Sequence, residues 1–435
     1  MKKDSKSDDS HAGGRVESDG NDRTITRREA IKRAAQVGGI AVLGNVSDAV
    51  AQTNSDAPPL VETLPDTSKA LGNPGTALGA RSPYAEVRRF LRPGKPWTSG
   101  TPHEDLLGTI TPSDLHFERH HAGVPEIDPG KYALMIHGMV ERPTVFSIGD
   151  LKKLPSVTKV CFLECAGHYP VDATPETRPS RIVPLLSNSE WTGVPLRTLL
   201  EEVGMHPDAT WLLAESQDGS KFTRSIPVEK AWDDAMIAYG QNGESLRPEQ
   251  GYPARLFNPG WEGSSCVKWV RRIEVTDEPV MSREETSRYT EAIGNGQSLQ
   301  FSFVIQARSL IISPGYPEKI APGLVNIQGI AWSGRGKIAK VEVSTDDGRT
   351  WQLAQLQRPV FSKAFTRFQF PWQWDGTPTT IWSRATDETG YVQPTMTAFK
   401  RSRGGEEGYH KNFTIGWTIE SSGNVFFRVQ DWDAA

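Results

Sequence analysis

Near residue 296 the chain changes texture, and the change sets which folds are open to it. Beyond that point the sequence becomes short β-like runs divided by turn signals: Lys340 to Ser344, then Asp346-Asp347-Gly348, then Thr350 to Leu353. Seven of the 13 tryptophans lie after residue 330, where broad rings can fill the space between two packed sheets. Residues 296–435 therefore read as an all-β sandwich. From 96 to 295 the pattern is mixed. Tyr132 to Gly138 alternates as a strand does, whereas Pro195 to Gly204 has helical spacing and a glycine stop. That mixture predicts an α+β domain ahead of the sandwich.

The first 95 residues have a different character. Residues 1–51 run from a polar leader through Thr26-Arg27-Arg28-Glu29-Ala30-Ile31-Lys32 into a weakly apolar stretch that ends at Ala49-Val50-Ala51. Paired arginines, a modest apolar segment and a small-x-small cleavage site in that order form a twin-arginine signal. Such export moves proteins already folded, often around a cofactor, and it predicts a periplasmic location. Residues 52–95 are rich in Pro, Gly, Ser and Ala and predict an irregular extension. The formal charge of −4 argues against a nucleic-acid surface, and no apolar run reaches the ~20 residues needed to span a bilayer.

All three cysteines, Cys161, Cys165 and Cys266, follow the leader. In an oxidising compartment an odd count leaves at least one thiol unpaired. On an extended strand Cys161 and Cys165 would stand ~13 Å apart, too far to bridge. A lone cysteine is by default a small buried apolar side chain, but here an apolar strand ends at Cys165, followed by Ala166-Gly167-His168, so its thiolate projects from a tight turn. Zinc on Cys161, Cys165 and His168 has poor spacing and lacks a fourth ligand. A second cluster, Phe117-Glu118-Arg119-His120-His121, crowds one guanidinium and two imidazoles together, a set suited to a phosphate or other oxyanion unless it is simply a solvated turn. The chain has no dinucleotide fingerprint, P-loop, Gly-x-Ser-x-Gly elbow or haem-attachment motif, so its chemistry must come from elsewhere.

These residues resemble the sulfite oxidase family of molybdenum enzymes. The resemblance rests on Arg119 and His121 with Val124-Pro125 and Ile127-Asp128-Pro129, on Cys165-Ala166-Gly167, and on Gly251 to Arg255. It continues through Gly260 to Gly263, Val267-Lys268-Trp269, Arg271-Arg272-Ile273, Arg288-Tyr289 and, after residue 296, Val341 to Gly348 and Ala385-Thr386-Asp387 with Gln393-Pro394. Within the family the chain is similar to the sulfane (sulfite) dehydrogenase branch, through Arg283 to Thr290, Trp332 to Gly336 and Ser383 to Pro394.

The resemblance implies an α+β molybdopterin-binding domain over 96–295, followed by an immunoglobulin-like dimerisation domain over 296–435. It implies Mo-molybdopterin as the cofactor, Cys165 as the thiolate on the metal, Tyr289 as the active-site tyrosine, and Arg119 in both catalysis and binding. Phe117, His120, His121, Arg255, Cys266, Val267 and Lys268 then fall at cofactor-binding positions, and Glu215, Ser216 and Gln250 at further pterin contacts. A dithiolene-bound metal suits a soft thiolate, and the pterin phosphate needs cations such as Arg255 and Lys268. The implied partners are a c-type cytochrome that takes the electrons and a sulfur-carrier protein, in a homodimer or heterotetramer.

Two departures bear on substrate. His168-Tyr169-Pro170 follows Cys-Ala-Gly where animal sulfite oxidases carry Asn-Arg-Arg, and Glu420 stands where they place another pocket arginine. The expected function is periplasmic oxidation of a reduced sulfur centre, sulfane sulfur or sulfite. A sulfoxide reductase of the same fold is the first alternative, against which residues 296–430 count because such relatives generally lack the sandwich. A cofactor-less scaffold or binding subunit is the second; intact Cys165 and Tyr289 count against it.

Overall fold

The computed structural model describes residues 71–92, 94–165, 173–405 and 410–428. The twin-arginine leader, the first part of the extension and the segment Ala166 to Pro170 lie outside the described residues. The chain divides into two compact units, Met1–Arg81 and Ser82–Ala435; residues 71–81 of the first carry neither helix nor strand.

In the second unit, two five-stranded sheets build the region ahead of the sandwich. In one, Val157–Glu164 pairs antiparallel with Leu186–Pro195, which pairs with Met236–Gln241, and the short strand Arg255–Phe257 joins the opposite edge of Met236–Gln241. In the other, Leu134–Gly138 runs parallel to Val270–Thr276, which pairs antiparallel with Trp211–Ser216. Helix Leu196–Val203 forms as its spacing predicts. Leu196, Leu199, Leu200 and Val203 fall on one buried face, and Gly204 closes the helix at φ 67°, a conformation that β-carbons resist. That face joins Leu134, Ile136, Val194, Ile237 and Ile273 in one core between the two sheets.

After residue 307 the chain forms two facing antiparallel sheets. Arg308–Ser313, Gly323–Trp332 and Thr366–Trp374 lie in one; Ile338–Ser344, Thr379–Asp387 and Gly416–Ile419 lie in the other. Trp332, Trp374 and Trp417 are fully buried between them, so the tryptophan-rich tail is core. The same core takes in Phe162, Ile182, Val183 and Leu186, so one apolar cluster ties the sandwich to the Val157–Glu164 strand. A hairpin of Glu291–Ala292 with Ser298–Leu299 crosses the expected boundary at 295/296.

The end of the extension differs from expectation. Phe90–Leu91 pairs with Thr98–Gly100, which pairs in turn with Glu118–Arg119. Two- and three-residue strands are too short to leave a periodicity in sequence, which is why 52–95 reads as irregular throughout.

Candidate active site

Strand Val157–Glu164 carries the cysteine to its place. Glu164 is buried at the strand's end, where it accepts from Arg308 Nη1 at 3.2 Å and Trp332 Nε1 at 2.5 Å, both from the sandwich. Cys165 follows, its N–H donating to Leu185 O at 2.9 Å. On the other side Gly263 approaches so closely that a β-carbon there would stand 2.9 Å from Glu164 O. The half-buried Cys165 therefore sits between two fixed backbones at the edge of a cavity of about 520 Å³. Burial pushes its thiol up to about 11, against the opposing pull of Arg119. No disulfide joins the three cysteines.

The same cavity is lined by Phe117, Arg119, His120, His121, Ser216, Gln250, Arg255, Cys266, Val267, Lys268 and Tyr289, which come from segments far apart in sequence. Their order in space follows from local geometry. Arg255 stands on the edge strand Arg255–Phe257 and is 1% exposed; Nη1 donates to Gln250 O at 3.1 Å and Nη2 to Cys266 O at 2.8 Å. Its Nε is buried with no hydrogen-bond partner. Burial brings this guanidinium down to about 10. Gly251, at φ 107°, lets Arg255 and Lys268 come together, since a β-carbon there would meet the Cβ atoms of both at 3.1 and 3.2 Å.

Lys268 is held by three acceptors. Its Nζ donates to His120 Nδ1 at 2.6 Å, Glu249 O at 3.1 Å and Arg119 O at 3.2 Å. His120 passes the contact on, Nε2 donating to Glu118 Oε2 at 3.2 Å, and Glu118 is paired with Arg89. Burial and then the charge of Arg255 hold the Lys268 ammonium well below its ordinary value. His121 stacks on Phe222 at 4.9 Å and is brought down to about 4 by burial and then by Arg119. Tyr289 Oη lies 3.5 Å from His121 Nε2, and burial pushes the phenol up, so it keeps its proton at neutral pH.

Gln250 Nε2 donates to Phe117 O at 2.9 Å, and Cys266 Sγ accepts from the Asn258 N–H at 3.2 Å, so both also brace the wall. Glu215 requires correction. It does not line the cavity; Arg271 Nε and Arg272 Nη2, from the neighbouring strand Val270–Thr276, donate to it at 2.6 and 2.7 Å. Alternation explains this, because adjacent strand residues face opposite ways and Ser216 takes the cavity side. Glu420 is exposed on a turn, where it accepts from Ser422 Oγ at 3.0 Å, and it does not line the cavity. Arg384 is also elsewhere, donating to Glu342.

The sequence reading missed Arg92, Lys95, Trp97 and Asp218, all of which line the cavity. The first three sit where no periodicity marked them. Among the described lining residues Arg92, Lys95, Arg119, Arg255 and Lys268 are cationic and Asp218 alone is a carboxylate. Burial lowers the pKa values of Arg255, Lys268 and His121, helped at Lys268 by the charge of Arg255 and at His121 by that of Arg119, and the idle Arg255 Nε is a donor to spare. Such a cavity suits a large, multiply anionic group with a soft metal beside Cys165. Among the described residues no cluster of three or more His, Cys, Asp or Glu is placed to hold a metal alone. Molybdopterin, with its phosphate and its dithiolene, fits that donor set.

Comparison with known proteins agrees. Residues 121–284 match the family described as oxidoreductase molybdopterin binding domain, and residues 300–414 match the Mo-co oxidoreductase dimerisation domain. This chain belongs to the sulfite oxidase family of molybdopterin oxidoreductases, and its cofactor is Mo-molybdopterin. Among solved structures it is similar to the sulfane dehydrogenase SoxCD from Paracoccus pantotrophus. The identity is 39% and the TM-score 0.81, over 86% of this chain and 100% of that one. The sulfite oxidase of Gallus gallus is 29% identical over 339 residues, 70% of this chain and 72% of that protein. The NADH nitrate reductase of Ulva prolifera is 30% identical over 353 residues, 69% of this chain and 40% of that protein. The chain thus spans about two-fifths of the length of that nitrate reductase.

Proposed function

We propose that this protein is a periplasmic molybdenum-dependent dehydrogenase that oxidises a reduced sulfur centre and passes the electrons to a c-type cytochrome. The observation that carries the reading is the convergence of Cys165, Tyr289 and the Arg119, Arg255 and Lys268 cations on one cavity, in a chain that matches one chain of a sulfane dehydrogenase structure over that chain's full length. When bound, molybdopterin supplies a metal that changes oxidation state by two and mediates oxygen transfer to sulfur. Adding one oxygen atom from water to sulfur releases two protons and two electrons, so two one-electron acceptors are needed per turnover.

The chain's residues have distinct tasks. Arg255 and Lys268 bind the anionic part of the cofactor, and Cys165 supplies the thiolate to the metal. Arg119 and His121 line the same cavity, where both would hold the cofactor, and Arg119 would also meet an anionic or polar sulfur substrate. Tyr289 stays protonated and stands beside a neutral His121, so the phenol is a hydrogen-bond donor at the site. With no haem motif in the chain, the acceptor is a separate cytochrome.

Where the animal enzymes carry two pocket arginines this chain has Tyr169-Pro170, so free sulfite is a poor substrate and a persulfide on a carrier protein a better one. Each lost charge-assisted contact is worth roughly 1.5–3 kcal/mol, which puts kcat/KM for sulfite down at least about 10- to 100-fold. Steady-state rates with sulfite and with a persulfidated carrier, each read by cytochrome reduction, test this. Fast turnover and micromolar KM on sulfite alone would overturn it.

A further inference from the structure

Behind the cavity wall lies a guanidinium that neither the sequence motifs nor the functional reading employs. Arg224 stands on strand Thr223–Pro227, fully buried. Its Nε donates to Glu285 Oε1 at 2.8 Å and its Nη1 to Glu262 Oε1 at 2.6 Å; Nη1 also donates to Ser264 Oγ. The central carbon of the same group lies over the Tyr289 ring, 4.6 Å from its centre.

The partners belong to two walls of the cavity. Glu285 sits in helix Arg283–Ser287, and the Tyr289 N–H donates to Glu284 O at 3.0 Å, so this segment carries the tyrosine. Glu262 and Ser264 flank Gly263, the residue packed against the backbone of Glu164 and Cys165. A single planar fork therefore ties the tyrosine wall to the cysteine wall. The network is closed further out: His410 Nε2 lies 3.0 Å from Glu262 Oε2, and the His410 N–H donates to Glu291 Oε1 at 2.9 Å. Buried ionic groups of this kind give little net stability compared with apolar packing of equal volume. What the fork provides is direction, because guanidinium donors are fixed in one plane and an ammonium has no such plane.

We propose that Arg224 is a positioning residue that sets the distance and orientation of Tyr289 relative to Cys165 by bracing the two segments that carry them. The proposal rests on the sulfur-oxidising reading only for its kinetic consequence. In Arg224→Lys the charge that Glu262 and Glu285 require is kept, while the fork and the guanidinium over the ring are lost.

The test uses cofactor-free and loaded protein labelled with meta-fluorotyrosine. Nine tyrosines give nine fluorine resonances, and Tyr289→Phe assigns the relevant line. In cofactor-free Arg224→Lys the Tyr289 line moves and the other lines stay. In loaded Arg224→Lys kcat falls about 10- to 100-fold, while KM stays within about threefold. A Tyr289 line unmoved in a folded variant overturns the proposal, as does a general shift of all lines, which would mean plain structural damage. If Arg224→Lys is not recovered folded, Glu285→Gln decides in the same way, because it keeps shape while weakening the fork at Nε: movement of the Tyr289 line supports the brace and its absence refutes it. The fluorine readout needs no turnover, so a failure of the sulfur-oxidising reading would leave it intact and be recognised separately.

Discussion

Replacing Arg255 with methionine separates what that guanidinium does for the cofactor from what it does for the fold. In the cofactor-free protein it is 1% exposed, held by two backbone carbonyls and facing no carboxylate within the cavity wall. Burial lowers its pKa from 12.5 to about 10, so its charged form costs about 3 kcal/mol relative to the unfolded chain. The sign follows from the group being a base: the cost is present at every pH below about 10 and disappears as pH rises towards 12.5. Methionine fills much of the volume and removes that cost, but leaves Gln250 O and Cys266 O unsatisfied at roughly 1–3 kcal/mol each. The two effects largely offset, so Arg255→Met loses no more than about 3 kcal/mol of unfolding free energy, the lower end of what breaking a buried ion pair costs. Binding of the cofactor behaves differently. A lost charge-assisted contact of about 1.5–3 kcal/mol weakens retention about 10- to 160-fold. Urea unfolding of the cofactor-free proteins, with molybdenum and pterin content after extended dialysis, reads both arms. A variant that keeps its cofactor as wild type does, or one whose empty form is crippled, would refute the reasoning.

Three other outcomes follow, two from the same geometry and one from the leader sequence. Burial holds His116 at about 3 and His121 at about 4, both below the ordinary 6.5. Stability contributed by their neutral forms is therefore lost as pH falls from about 6.5 towards those values, and the urea midpoint of the cofactor-free protein should drop between pH 7.5 and pH 5, less so in His121→Gln. Glu215→Gln weakens the pairing of Trp211–Ser216 with Val270–Thr276 and lowers the thermal midpoint, yet leaves molybdenum content unchanged because Glu215 faces away from the cavity. Arg27→Lys with Arg28→Lys keeps the precursor in the cytoplasm, scored by cell fractionation; normal periplasmic accumulation would refute the export signal.

Much of this architecture was legible in the chain because it rests on strong local signals. Leu196, Leu199, Leu200 and Val203 declare a helix that ends at Gly204, and the tryptophans after residue 330 declare a two-sheet core; both are present. The positions lining the cavity were readable because Arg119, Cys165, Arg255, Lys268 and Tyr289 fall in several separate motifs in a fixed order. Glu215 was misread because aligning by residue type ignores which face of a strand a side chain takes, and Ser216 beside it has the cavity side. Arg92 and Lys95 went unseen because two-residue pairing of Phe90–Leu91 leaves no pattern. Arg224 carries no motif of its own. Its role depends on Glu262 and Glu285, 38 and 61 residues away, and only the fold brings them together.

The account stands most directly on Cys165 as the protein's own bond to the metal. Molybdenum K-edge absorption on loaded wild type and loaded Cys165→Ser reads the sulfur neighbours of the metal without relying on turnover. The account predicts that the serine variant retains pterin and molybdenum, shows one sulfur neighbour fewer than wild type, and oxidises sulfur at a small fraction of the wild-type rate. An unchanged sulfur count, or wild-type turnover in a fully loaded Cys165→Ser protein, would contradict it.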